Sequence, residues 1–413
     1  MLWPEADKIW GASVGEEKTV QEELEGATRL GDDIIKLIRK CVKCRFCLTE
    51  CPIYEASDGW LTRGSSGITQ SLYYGILYDK LDTALRDILI QCTTCRSCEI
   101  ICEKLMAGVN LVEAIQKGRR LLLEAGINPI KEQQKALELL QQVSNPYGTP
   151  SGKRTLWAEN LDIPFVHNVA DAETLYYVGC TTSYDLRAQQ IAISLAGIMK
   201  TSETAFGILE NERCCGDPAF MMGEEGLFEM LMEENVKQLA SCDVQRVVTS
   251  CPHGFHTFKS LYPGDFGKGA KIQHHTQFMS DLIVRGKLRF KDKGDKSIKV
   301  TYHDPCYLGK HNGVYDEPRQ ILDSIPGVEV VEMRRSREKS LCCGGGGGRM
   351  WGEFAEERRL SEIRVEEALD TGAERLITAC PFCLQNLEDA TKTMDVEGKI
   401  QVMDLAEFSA QFI

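Results

Sequence analysis

Cysteine is the residue type in this chain whose number and spacing most clearly indicate chemistry. The sequence of 413 residues contains 18 cysteines, and all of them except Cys242 fall into regularly spaced groups. Cys242 is expected to be a small buried apolar side chain. Thiolate sulfur is a soft ligand that favours iron, copper(I) or zinc over magnesium and calcium. Because cysteines in a reducing compartment are more often metal ligands than disulfide partners, the groups predict metal centres.

Two of the groups share the spacing C-x2-C-x2-C-x3-C, and Pro52 follows the first of them. The first run comprises Cys41, Cys44, Cys47 and Cys51, and the second comprises Cys92, Cys95, Cys98 and Cys102. This spacing is typical of ferredoxins with two cubane [4Fe–4S] clusters, in which the fourth cysteine of each run ligates the other cluster. The predicted ligands are Cys41, Cys44, Cys47 and Cys102 for cluster one, and Cys92, Cys95, Cys98 and Cys51 for cluster two. A pair of zinc sites is the alternative interpretation. Zinc would need only C-x2-C pairs, and not two full runs of four cysteines with matched spacing.

The remainder of the chain is an internal duplication, in which each copy runs strand, Cys, helix, Cys-Cys-Gly, helix, strand, Cys-Pro. TLYYVGC in copy one corresponds to IKVTYHDPC in copy two, and each ends in a cysteine just past a predicted strand. Open α/β sheets bind ligands at that end of their strands. The cysteines are Cys180, Cys214, Cys215 and Cys251 in copy one, and Cys306, Cys342, Cys343, Cys380 and Cys383 in copy two. Gly254 stands where copy one would have a fifth cysteine.

Hydrophobic periodicity predicts the elements that must position these cysteines. Helical spacing occurs in residues 31–40, 68–91, 110–126 and 131–143, whereas β-rich runs alternate with helices in the duplicated part. The predicted fold class is α+β, with a mostly helical two-cluster domain followed by two pseudo-symmetric small α/β domains. The predicted bounds are an N-terminal arm (1–30), the helical domain (31–125), a linker (126–170) and the two α/β domains (171–295 and 296–413).

Two cubane motifs followed by two Cys-Cys-Gly copies resemble the fused heterodisulfide reductase subunit of methanogens. The iron–sulfur subunits of glycolate oxidase and anaerobic glycerol-3-phosphate dehydrogenase are similar in layout. The resemblance implies two "CCG" domains, of which the complete one, CCG domain 2, holds a non-cubane [4Fe–4S] cluster. Its implied ligands are Cys306, Cys342, Cys343, Cys380 and Cys383. For the four thiolates of CCG domain 1, an ordinary cubane, an altered non-cubane cluster, a Zn²⁺ ion and an empty site remain open.

Other residues are predicted to border the copy-two cluster rather than to ligate it. Gly344, Gly345 and Gly346 would let the backbone approach the cluster and donate N–H groups to sulfur, which raises a reduction potential. His303 would tune the cluster or relay protons. In copy one, His253 and His256 are hypothesised to be hydrogen-bonding neighbours, with replacement ligation as the alternative. No catalytic residue is predicted.

The charge and the absence of other motifs restrict the partners. A net charge of −13 argues against a nucleic acid partner. The sequence lacks a secretory signal and any apolar run of membrane-spanning length, so a cytoplasmic location is expected, with a membrane subunit reached only by protein contact. No G-x-G-x-x-G follows a strand, so no flavin is expected in this chain. A flavoprotein or another redox subunit is therefore the expected partner in a hetero-oligomer.

Three functional hypotheses follow. The first is an iron–sulfur electron-transfer subunit of a multi-subunit oxidoreductase, for which an electron-bifurcating complex is one compatible setting. The second is a catalytic heterodisulfide or disulfide reductase that uses the copy-two cluster. The third gives CCG domain 1 a structural zinc ion. In the resembled catalytic subunit a disulfide is split between two non-cubane clusters, so the missing thiolate at Gly254 favours the first hypothesis.

Overall fold

The computed structural model describes residues 20–105, 108–169, 171–264, 266–292, 294, 297–354 and 357–413. Residues 1–19 of the predicted N-terminal arm therefore lie outside the described residues. The rest of that arm is helical, because the first helix begins at Val20 and not at residue 31. Among the described residues, every helix is too short or too polar to span a lipid bilayer.

The first part of the chain is helical, as predicted. Its helices are α1 (Val20–Ile38), α2 (Pro52–Ala56), α3 (Ser65–Leu77), α4 (Thr83–Leu89), α5 (Ser97–Leu105), α6 (Leu111–Glu124) and α7 (Lys131–Val143). Helices α1, α3, α4 and α6 share a core that includes Ile34, Leu72, Leu89 and Ile115. Burial of such side chains stabilises the domain by about 1.5–3 kcal/mol each.

The helix predicted across residues 68–91 is divided in two. Asp79 adopts a positive φ of 52°, which ends the first helix in a tight turn. Three residues later the carboxylate of Asp82 accepts a hydrogen bond from the backbone N–H of Leu85 at 2.9 Å and caps α4. The periodicity of the two helices is continuous, and only the local turn and cap chemistry separates them.

The duplicated part forms two four-stranded sheets. The first contains β1 (Thr174–Tyr177), α8 (Cys180–Tyr184), α9 (Gln189–Thr201), β2 (Phe206–Gly207), α10 (Asp217–Met222), α11 (Glu225–Ser241), β3 (Arg246–Thr249), α12 (Pro252–Ser260), β4 (Lys271–His274) and α13 (His275–Val284). The second contains β5 (Ile298–Tyr302), α14 (Asp316–Asp323), β6 (Val328–Val330), α15 (Leu360–Leu369), β7 (Arg375–Thr378), α16 (Pro381–Thr393), β8 (Gln401–Asp404) and α17 (Leu405–Ala410). The strand orders are β2-β1-β3-β4 and β6-β5-β7-β8, and every pairing is parallel. The α+β class is confirmed.

The two copies pack on one another through equivalent elements. Helix α9 of copy one contacts α17 of copy two, and α13 of copy one contacts α14 of copy two. Helix α9 of copy one corresponds to α14 of copy two, and α13 corresponds to α17. An approximate twofold rotation therefore turns the α9–α17 contact into the α14–α13 contact. The shared core includes Leu195, Phe278, Ile321 and Phe408, all of which are fully buried. A common core fixes the distance between the cysteines of the two copies.

Candidate iron–sulfur centres

The structure brings together three of the four cysteines predicted for cluster one. Cys41, Cys47 and Cys102 pack beside Val109 and Leu111. Burial raises the pKa of the Cys47 thiol to about 11, and the sulfurs of Cys41 and Cys102 act in the same direction. Cys44 is exposed, which places this group at the surface.

The cysteines predicted for cluster two are also neighbours, and they include Cys51 of the first run. Burial raises the pKa of the Cys98 thiol well above its usual range, with a further contribution from the sulfurs of Cys92, Cys95 and Cys51. Cys51 of the first run thus lies among the thiols of the second run, and the assignment of ligands to each cluster stays a prediction. Ionised thiolates in such surroundings need compensating positive charge, which bound iron supplies.

The backbone of both cysteine runs turns so that N–H groups can point toward the thiols. Lys43 and Arg45 flank Cys44 with positive φ angles of 56° and 65°, and Thr94 and Arg96 flank Cys95 in the same way at 52° and 67°. Left-handed residues of this kind produce concave nests of N–H groups that favour anions. The N–H of Thr94, for example, donates to the sulfur of Cys92 at 3.3 Å. Such bonds stabilise a negatively charged cluster.

All five cysteines of copy two are buried, with exposed fractions of 1–7%. The pKa of the Cys343 thiol lies well below its usual range because the thiols of Cys342 and Cys383 donate to it. The N–H of Gly344 donates to the sulfur of Cys342 at 3.4 Å, and the N–H of Gly345 is a further donor to Cys343. The structure thus places Gly344 and Gly345 beside the thiols, as the sequence predicts.

His303 is fully buried and lies near the same thiols. One of its ring nitrogens and the sulfurs of Cys343 and Cys383 are all within 4.8 Å of one another. Burial lowers the pKa of His303 well below its usual range, and the neighbouring guanidinium of Arg364 contributes.

Gly346 and Gly347 pack closely against the helical domain. A Cβ at Gly346 would lie 2.4 Å from the carbonyl oxygen of Thr93, and a Cβ at Gly347 would lie 2.3 Å from that of Cys92. The second half of the glycine run therefore packs on the loop that carries the cluster-two cysteines. This contact between domains leaves no room for a side chain.

The four thiols of copy one line a cavity whose walls include Thr181 and Phe382. A Cβ at Gly254 would lie 3.8 Å from the sulfur of Cys215, which is an ordinary contact distance. The position of the missing fifth cysteine is therefore open to a side chain. Cys242 belongs to no centre and is buried in the core of copy one, as predicted.

Copy one differs from copy two at two further positions near this cavity. Asp217 replaces the equivalent of Gly345, and His253 replaces the equivalent of Phe382. Nδ1 of His253 lies 3.3 Å from the carboxylate of Asp217, and the ring stacks on Tyr307 with a centroid distance of 3.9 Å. These contacts support the hydrogen-bonding hypothesis for His253. His256 also contacts Tyr307.

The spacing of the copy-one thiols can be compared with that of a zinc site. Four sulfurs around one Zn²⁺ ion lie about 3.8 Å apart, because each Zn–S bond is about 2.3 Å and the geometry is tetrahedral. In the part of the chain that the structure describes, His303, Cys343 and Cys383 form the one group of three ligand atoms that all lie within 4.8 Å of one another. In copy one the thiol of Cys214 hydrogen-bonds to both Cys180 and Cys215, and the type of centre there stays a prediction.

The four centres adjoin one another. The pKa of the Cys95 thiol is raised well above its usual range, mainly by a hydrogen bond with Cys342 and by burial, so cluster two meets copy two directly. Burial and the sulfur of Cys380 raise the pKa of Cys251, which links copy two to copy one. With Cys47 of the first run beside Cys51, the thiols form a series from the first run through Cys95 and Cys342 to Cys251.

Sequence reasoning missed Arg119, which lies where the three domains meet. Its guanidinium is 4% exposed and donates to four carbonyl oxygens at 2.7–2.8 Å. The acceptors belong to Leu89 and Cys92 of the helical domain, Met221 of copy one and Gly347 of copy two. The signal in the sequence is limited to a charged residue on the apolar side of α6. Its partners are separated from it by up to 228 positions in sequence.

Comparison with known proteins agrees with this architecture. The family model described as a 4Fe-4S dicluster domain matches residues 37–106, and the model described as a cysteine-rich domain matches residues 174–259 and 300–388. A subunit of dihydromethanophenazine:CoB–CoM heterodisulfide reductase from Methanosarcina barkeri is 34% identical over 393 residues, which cover 90% of this chain and 93% of that subunit. The chain belongs to the family of this heterodisulfide reductase subunit.

Two bacterial relatives of this heterodisulfide-reductase-type chain are longer. The probable iron-sulfur-binding oxidoreductase FadF of Bacillus subtilis is 38% identical over 80% of this chain and 47% of its own length. EtfAB:quinone oxidoreductase of Syntrophomonas wolfei is 32% identical over 80% of this chain and 47% of its own length. The chain thus spans about half the length of these curated relatives, which are named as oxidoreductases.

Proposed function

We propose that the chain is the iron–sulfur electron-transfer subunit of a multi-subunit oxidoreductase. The observation that carries the proposal is the series of thiol groups that runs from the first cysteine run at the surface, past the Cys95–Cys342 contact, to Cys251. Iron–sulfur clusters bound in these positions would supply one-electron chemistry. The chain itself holds the thiols, excludes water from the inner centres and supplies N–H groups to their sulfurs.

The surface around Cys44 is suited to a partner protein. Val42, Phe46, Tyr74 and Tyr78 are exposed hydrophobic side chains there, with exposed fractions of 40–65%. The ammonium of Lys43 donates to the hydroxyl of Tyr74 at 3.0 Å and joins the cysteine loop to α3. We name these five residues, together with Cys44, the cluster-one surface. Exposed apolar patches of this kind mark interaction sites.

The charge of this surface selects the type of partner. Arg39, Lys40, Lys43 and Arg45 are exposed, and no acidic residue occurs between positions 34 and 49 of an otherwise acidic chain. A basic region next to an exposed cysteine attracts an acidic redox protein and accelerates its association. One relative is named EtfAB:quinone oxidoreductase, and that name supports a protein redox partner, for which we propose a flavoprotein.

Charge reversal at the cluster-one surface tests this assignment. The double variant Lys43→Glu, Arg45→Glu should be reduced by flavodoxin hydroquinone, a small acidic flavoprotein, about tenfold more slowly at low ionic strength. The difference should shrink in high salt because the ions screen the charges. Lys237→Glu on α11 is the control and should leave the rate unchanged. Stopped-flow absorbance measures the rates, and equal slowing in both variants would contradict the surface assignment.

A second function is favoured by a cleft over copy two. The cleft has a volume of about 340 Å³ and reaches Cys343, with Arg349, Arg359 and Asn386 in its walls. Arginine and asparagine side chains bind anionic or polar groups. Reduction of an anionic disulfide at Cys343 is therefore the alternative. Oxidation of the reduced protein by small disulfides would support this alternative, and electron transfer only to protein acceptors would exclude it.

Metal content tests the number and type of centres. Protein purified without oxygen should contain about sixteen irons, matching acid-labile sulfide and no zinc, because four thiol groups would each hold a four-iron cluster. The Gly254→Cys variant should keep this iron content while the EPR signal of copy one approaches that of copy two. About twelve irons with one zinc would instead assign the zinc to copy one and exclude electron transfer through it.

A further inference from the structure

His303 occupies a position between a guanidinium and two thiols of copy two. Its ring is fully buried just after strand β5. Nε of Arg364 donates to Nδ1 of His303 at 3.0 Å. Nε2 finds no hydrogen-bond partner among the described residues, although a nitrogen of the ring lies within 4.8 Å of the sulfurs of Cys343 and Cys383. Nε2 is therefore the ring nitrogen still available to bond to a group held by these thiols.

Arg364 determines where the imidazole carries its hydrogen. A guanidinium has donors only, so Nδ1 must offer its lone pair to it. A ring that accepts a hydrogen bond at Nδ1 carries its hydrogen on Nε2. An N–H group buried without an acceptor is unfavourable, which indicates that the acceptor is a group bound at the thiols. This tautomer follows from hydrogen bonding and involves no change of protonation.

We propose that His303 donates a hydrogen bond through Nε2 to a sulfur of the copy-two cluster and does not ligate its iron. The inference rests on the proposed function, since it requires a cluster on Cys343 and Cys383. A histidine that binds metal gives its lone pair to the metal and donates its other N–H to a carboxylate, carbonyl or water. In His303 the ring nitrogen Nδ1 accepts a hydrogen bond from Arg364 and does not donate one. This is the reverse of the arrangement in a metal-binding histidine.

The position of Arg364 is itself fixed by the fold. Its Nη1 donates to the carboxylate of Glu367 at 2.6 Å and to the carbonyl oxygen of Arg335 at 2.8 Å, and its Nη2 lies 3.2 Å from the hydroxyl of Ser340. Arg364 is fully buried. These contacts hold the guanidinium, and through it the imidazole, in a single orientation.

Copy one lacks this donor. Tyr177 stands three residues before Cys180, as His303 stands three residues before Cys306. The Tyr177 hydroxyl donates to the carbonyl oxygen of Arg213 instead. The hydrogen bond to sulfur is therefore specific to copy two. Donors to cluster sulfur stabilise the more negative, reduced state and raise the reduction potential.

Redox titration followed by EPR tests the role of His303. The His303→Phe variant should retain the copy-two signal with a midpoint potential shifted to more negative values. His303→Gln keeps an amide donor and should restore the midpoint toward that of the unmodified protein. The control is His275→Phe, which replaces an equally buried histidine on α13 and should leave the midpoint unchanged. An unchanged midpoint in His303→Phe would overturn the proposal.

Pulsed EPR on protein labelled with ¹⁵N-histidine provides a test that does not depend on the stability of a variant. A weak nitrogen coupling, smaller than that of an iron-bound imidazole, is expected at the copy-two signal and should disappear in His303→Gln. A coupling of ligand strength, or no coupling, would refute the assignment of His303 as a donor. Absence of any copy-two cluster signal in the unmodified protein would instead refute the proposed function.

Discussion

Replacing Arg119 with methionine is expected to destabilise the chain by at least about 3 kcal/mol, because the carbonyl oxygens of Cys92, Met221 and Gly347 would lose a donor at once, whereas that of Leu89 keeps the N–H of Cys92. The carbonyl oxygens that the guanidinium now binds belong to three domains, at distances of 2.7–2.8 Å. Each buried acceptor that loses its donor costs about 1–3 kcal/mol. Methionine retains most of the apolar volume but supplies no donor. Differential scanning calorimetry measures the loss.

The same substitution should also alter cluster two. Burial raises the pKa of the Cys92 thiol to about 11, and the positive charge of Arg119 opposes this rise. A positive charge that favours thiolate also favours the reduced cluster, so its removal should make the midpoint potential of cluster two more negative. Arg120→Met is the matched control, because this neighbouring arginine is partly exposed and pairs with Glu124 on the surface. Equal effects of the two substitutions would show that the position of Arg119 is unimportant.

Gly347→Ala is expected to separate copy two from the helical domain. The new Cβ would lie 2.3 Å from the carbonyl oxygen of Cys92, and both groups are backbone or attached directly to it. Neither can rotate away, so the two loops must move apart. The φ angle of 64° adds strain of about 1–3 kcal/mol. We expect a lower unfolding temperature and a loss of the magnetic interaction between cluster two and the copy-two cluster.

Gly372→Ala separates the two causes of this effect. Gly372 has a nearly identical φ of 67°, but a Cβ there would have nothing within 4 Å. It therefore reproduces the backbone strain without the contact. Gly372→Ala should lower the unfolding temperature slightly and leave the EPR spectrum unchanged. If both variants preserve the interaction between the clusters, the glycine run is not required for the approach of the domains.

The spacing of the cysteines predicts which thiols meet, because local sequence determines that geometry. A C-x2-C-x2-C loop can wrap only one cluster, and the crossing of Cys51 and Cys102 is predicted from the pattern of two-cluster ferredoxins. The strands before Cys180 and Cys306 are equally accessible to prediction, since β-rich runs of four or five residues end just before a cysteine. The contrast between four and five cysteines also draws attention to Gly254, which lies beside Cys215.

The contacts between domains are not predictable in the same way. Arg119 and Gly347 depend on packing between segments far apart in the chain, and neither belongs to a motif with regular spacing. The sequence indicates a cluster-binding role for the glycine run, although its second half supports a domain contact. The division of the helix at residues 68–91 depends on the turn at Asp79, a weaker signal than the periodicity that continues through it.

The gradient of burial along the series of centres has a consequence for damage by air. Cys44 is exposed, whereas Cys342 and Cys380 are each 1% exposed. Oxidation of sulfur follows its exposure, so oxygen would attack the outermost centre first. A chain damaged in this way would keep most of its iron and its colour while its inner centres were cut off from any protein outside. Iron content alone would then overstate how much of a preparation is still intact.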